Sequence, residues 1–90
     1  MKLFVYPAVF FKENGTTVIF PDLDIFTEGD SVEEAFLFAK DYLRQFLETS
    51  QKYELGYNLP SKYETVQEKY KPAQVMLIDA AISENKKGKV

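Results

Sequence analysis

Two apolar runs rich in β-branched and aromatic residues open the chain, Lys2–Lys12 (KLFVYPAVFFK) and Thr16–Phe20 (TTVIF). They meet at Glu13-Asn14-Gly15-Thr16. Asn-Gly between such runs predicts a β-hairpin, because both residues tolerate the positive φ of a tight type I′ turn. A two-residue turn would set Phe11 opposite Val18 and Val9 opposite Phe20, with Phe10 and Ile19 sharing the other face. Both faces are then apolar. A hairpin with one wet face alternates cleanly, so each side of this one needs a cover. Pro7 has no amide to donate and is expected at an edge or a bulge.

Pro21-Asp22-Leu23-Asp24 ends the second strand, and a short third strand follows at Ile25–Glu28, closed by Gly29. Helical spacing then takes over. Val32, Ala35, Phe36, Ala39, Tyr42, Leu43, Phe46 and Leu47 form one stripe, which predicts a helix over Val32–Leu47 packed on the sheet. Ser31 and Glu34 make a capping box at its start. Leu37 points away from the stripe, among Glu33, Glu34, Asp41 and Arg44, and Phe38 lies on its flank. Residues 49–71 are polar and tyrosine-rich, broken by Gly56 and Pro60, with a short helix expected within Lys62–Tyr70. The tyrosines are expected to cover the second sheet face or to form an interface. Gln74–Ile82 reads as a final strand. The order is β-β-β-α-(short α)-β, an α+β fold with an antiparallel sheet and its main helix on one face. One domain over residues 1–82 is expected, and the charged residues 83–90 are expected to be a disordered tail.

Composition narrows the chemistry. A chain of 90 residues that is 46% hydrophobic, 16% aromatic and 28% charged has the balance of a folded protein. Cysteine and histidine are both absent, which removes disulfides, thiol chemistry, the commonest general base and the commonest zinc ligand. A net charge of −3 argues against nucleic acid as the main partner and suits a basic protein instead. The apolar stretch after Lys2 has a signal-peptide flavour. Pro7 in its middle and the missing small-residue cleavage site speak against that. No run approaches the ~20 residues that cross a membrane. A cytoplasmic protein with no membrane association and no cofactor is expected.

The one catalytic constellation to weigh is Asp22, Asp24, Glu28 and Asp30, since two or three carboxylates can hold magnesium. They fall in a turn, an edge strand and a helix start, where acids also favour the helix dipole without any chemistry. A bound metal is therefore not expected. Isolated glycines leave no phosphate loop, and no serine has a marked base beside it. Tyrosines could stack on bases, but Glu54, Glu64 and Glu68 lie beside them.

Three segments carry a resemblance: Tyr6-Pro7-Ala8-Val9-Phe10, then Val18 to Leu23 (VIFPDL), then Thr27 to Ala35 (TEGDSVEEA). Together they resemble the N-terminal signature of HicB antitoxins, in order and at nearly the family's spacing over about residues 4–47. Leu59-Pro60-Ser61 is similar to that family's connector, and Val75–Ile78 to its last strand. Asp24-Ile25-Phe26 departs from the Pro-Gly-Cys segment usual there, and is one residue shorter. The resemblance implies a partial, degenerate RNase H-like core and a non-catalytic role. It also implies the partner: a HicA-type toxin, a small basic mRNA-cleaving ribonuclease, bound and masked. Many HicB proteins continue into a DNA-binding domain; this sequence ends soon after the last strand, so DNA binding is not expected. Contact with the toxin is expected at Asp22, Asp24, Glu28 and Asp30, with Phe26 as an apolar anchor. A homodimer or higher oligomer is expected too, since one helix covers only one sheet face. The alternatives are a stand-alone dimeric binding module, and a metal-dependent nuclease using Asp22 and Asp24.

Overall fold

A three-stranded meander, Lys2–Lys12 (β1), Thr16–Phe20 (β2) and Ile25–Gly29 (β3), leads into a long helix, Val32–Lys52 (α1). A short helix, Tyr63–Tyr70 (α2), and a last strand, Gln74–Ile82 (β4), follow. This is a computed structural model, and it describes residues 1–83. The strands form one antiparallel sheet in the order β3-β2-β1-β4. The element order expected from the sequence holds, including the bounds of β4. The expected tail lies, from residue 84 on, outside the described residues.

The hairpin register differs from the two-residue turn. Val9 pairs with Ile19, Phe10 with Val18 and Lys12 with Thr16, so Glu13, Asn14 and Gly15 all belong to the turn. Asn14 (φ 56°) and Gly15 (φ 108°) take the positive angles that Asn-Gly supplies, and the Glu13 amide donates to the Gly15 carbonyl at 2.9 Å. One extra turn residue exchanges the faces. Phe10 and Val18 thus point to α1, while Val9 and Ile19 point to the opposite side. Phe10 and Ile19 do not share a face.

On the α1 side, alternate residues Phe4, Tyr6, Ala8 and Phe10 meet Val18, Phe20, Ile78, Ala80 and Ile82 in one core. The helix contributes Ala35, Ala39, Leu43 and Leu47, a straight i+4 row. Phe36 and Phe46, expected in that row, are only half-buried, and Tyr42 is exposed. The two alanines lie at the N-terminal end of the row, where Ala35 meets the backbone of β3. Gly29 allows that approach: a Cβ there would stand 2.6 Å from the Ala35 nitrogen and 2.8 Å from its Cα. The helix runs five residues past the expected end at Leu47, since no breaker intervenes before Gly56 and Arg44 pairs with Glu48 at 3.0 Å.

The second face is covered in part. Val9, Val75 and Val66 of α2 form a small cluster flanked by Tyr63, Tyr70 and Ala73. Two tyrosines therefore do cover this face, as expected. Tyr57 instead meets the main core edge-on to Phe4, with ring centroids 6.2 Å apart. Pro7 occupies the central strand β1 rather than an edge or bulge. It is tolerated because the β1–β2 pairing runs only from Val9 to Lys12, and Pro7 is opposite Leu77 on the other side.

Candidate functional site

Extended backbone separates what the sequence places side by side. Asp22 and Asp24 stand at one end of β3, Glu28 and Asp30 at the other. Four residues of strand span roughly 13 Å, so these acids do not form one loop. Phe26 pairs with Ile19 and Glu28 with Thr17, which turns both to the face away from α1. Phe26 is 58% exposed there.

Asp22 is structurally engaged. Its carboxylate accepts the Ser61 amide at 2.8 Å and the Ser61 hydroxyl at 2.5 Å. Its backbone carbonyl accepts the Asn58 side-chain amide at 2.9 Å, and the Asn58 carbonyl accepts the Tyr6 hydroxyl at 2.7 Å. This chain of bonds ties the 58–61 loop to the β2–β3 turn. Burial, reinforced by Tyr57 and Asp22 nearby, pushes the Tyr6 hydroxyl up to about 12. Asp24 is exposed in the turn with φ 58°. Among the described residues, no group of three or more Asp or Glu side chains is placed to hold a metal ion.

The other end of β3 is richer. Here Glu28 and Asp30 are joined by Glu13 from the hairpin turn and by Glu34 from α1, around an open concavity of about 440 Å³. Antiparallel pairing causes this, because Thr16 sits opposite Gly29 and so brings the turn alongside the end of β3. The capping box fixes the helix start: the Glu34 amide donates to Ser31 Oγ at 3.1 Å. Glu34 Oε1 in turn accepts the Asp30 amide at 2.6 Å. Phe38, 50% exposed, lines the same concavity one turn further along α1. Glu13, Glu34 and Phe38 were not among the residues expected from the sequence. Their signal was the hairpin register for Glu13 and the i+4 spacing from Glu34 to Phe38.

Comparison with protein-family models, curated proteins and solved structures returns no match. No helix among the described residues is long and apolar enough to cross a membrane.

Proposed function

We propose that the chain is a non-catalytic, cytoplasmic partner-binding protein of antitoxin type, masking a small basic ribonuclease of the HicA kind. The observation that carries this reading is the gathering of Glu13, Glu28, Asp30 and Glu34 around one concavity with exposed Phe38 at its wall. A site that cleaves RNA must be basic to hold phosphate, and an acidic concavity can receive basic side chains from its rim. Such complementarity raises the association rate and is screened by salt, while a desolvated aromatic supplies affinity. The partial RNase H-like core that the resemblance implies is proposed on the same footing. A meander followed by a helix across its face agrees with it. The nuclease alternative is weaker, because Ser61 already occupies both carboxylate oxygens of Asp22.

The test asks whether the neighbouring reading frame encodes a small basic ribonuclease, and pairs the chain with that enzyme. RNA cleavage should be suppressed by the parent chain. Glu28→Lys with Asp30→Lys should slow association by about tenfold or more at low salt, and far less at high salt. A parent chain that neither binds nor inhibits that enzyme would refute the proposal, and an unchanged on-rate would remove the acidic concavity from it.

A further inference from the structure

The outer edge of β4 is divided into a blocked half and an open half. Lys40 of α1 reaches to Asp79 and donates to its carbonyl at 2.8 Å and to its carboxylate at 2.6 Å. Asp79 belongs to the alternate set that faces away from α1, so the lysine must cross the strand's free edge to meet it. A lysine laid across an edge is a recognised way to stop further strand pairing. Among the described residues, no other lysine crosses the Gln74–Ile78 part of this edge. Pro7 has no amide to offer Leu77, its partner on β1, so Leu77 and by alternation Val75 turn their backbone groups outward.

Exposed leucines flank this open half on both sides. Leu77, 52% exposed, stands on the face away from α1. Leu37, 61% exposed, stands above the edge on α1, at the lip of an apolar groove formed by Val32, Phe36 and Met76. A projecting leucine beside an apolar groove is self-complementary about a twofold axis, since the leucine of each copy can enter the groove of the other.

We propose that two copies of this chain pair through the Gln74–Ile78 half of β4, antiparallel and twofold about Met76. The pairing joins the two sheets into one of eight strands. Leu37 of each copy fills the groove of the other, and the Lys40–Asp79 bridge ends the ladder on both sides and so fixes its register. The inference is independent of the proposed ribonuclease partner. A five-residue ladder is roughly 17 Å long, a short seam of the kind found in transient interfaces, and the dimer is expected in the micromolar range.

Sedimentation velocity across the micromolar range should show a reversible dimer. Leu37→Lys, at an exposed position, should weaken it by about tenfold or more, since it puts a charge into the partner's groove. Leu3→Asp, on the sheet face away from both the edge and α1, should leave it unchanged. The chain has no cysteine, so Met76→Cys adds a single thiol close to the axis, where facing Cα atoms of a non-hydrogen-bonded pair lie ~4.5 Å apart, within disulfide reach. Oxidation should cross-link Met76→Cys at low concentration, and far faster than Leu3→Cys. A monomer throughout the range would overturn the proposal. So would a dimer that tolerates Leu37→Lys or dissolves with Leu3→Asp, or equal cross-linking of the two cysteine variants.

Discussion

Ser61 donates both its amide and its hydroxyl to the two carboxylate oxygens of Asp22, 39 positions earlier in the chain. Asp22 therefore clamps the 58–61 loop. Asp22→Ala should cost about 1–2 kcal/mol in denaturant melts, the scale for losing charge-assisted bonds at a partly exposed site. Coupling with Ser61→Ala is the check. Fully additive losses would show that the pair contributes nothing together.

The tyrosine at the other end of that network gives a pH signature. Tyr6 is held near 12, above the ~10 of an unfolded tyrosine. Its neutral form is the one favoured in the fold, so the stabilisation is complete below pH 10 and is lost as the pH rises towards 12. Thermal melts of the parent should fall more steeply over that window than those of Tyr6→Phe. Parallel curves would contradict the assignment.

Within α1 the burial ranking sets the cost of truncation. Leu43 is wholly buried in the main core, whereas Phe36 is half-buried at the rim of a groove. Leu43→Ala should lose about 2–5 kcal/mol, and Phe36→Ala less than the ~3–5 kcal/mol of a fully buried phenylalanine. Equilibrium unfolding in urea orders the two, and a larger loss at Phe36 would refute the packing described.

Gly29 is constrained by contact, since its neighbours across the gap are backbone atoms of Ala35. Neither can yield without moving the helix. Gly29→Ala should destabilise by about 1–3 kcal/mol, as overpacking does. A neutral or stabilised variant in the same melts would mean that α1 stands further from β3.

What could be read from the sequence depended on local signals. Ser31 with Glu34 marked the helix start, and the Gln74–Ile82 run gave β4 its bounds, because both signals lie within a few adjacent residues. The hairpin register was missed by one position. Asn14 and Gly15 have the expected positive φ, yet the turn also takes in Glu13, and counting along the chain does not reveal which residues a turn consumes. The same physics scattered the expected site. Proximity in sequence grouped Asp22 with Asp30, but a strand holds them apart. Strand pairing instead brought in Glu13, which sequence distance had hidden.

The pairing of β1 with β4 also has a consequence during synthesis. β1 leaves the ribosome well before β4, its neighbour on one side, which is made only after more than 60 further residues. Until then the meander and α1 can assemble from nearby contacts, while one flank of β1 stays unsatisfied and Val9 lacks the Val75 that later covers it. A nascent chain stalled before Gln74 is thus a sticky intermediate whose vulnerable margin is β1, the kind of transient edge from which multi-strand proteins aggregate. Arrival of β4 closes that margin and leaves a new one on the outside, half of it already shut by Lys40.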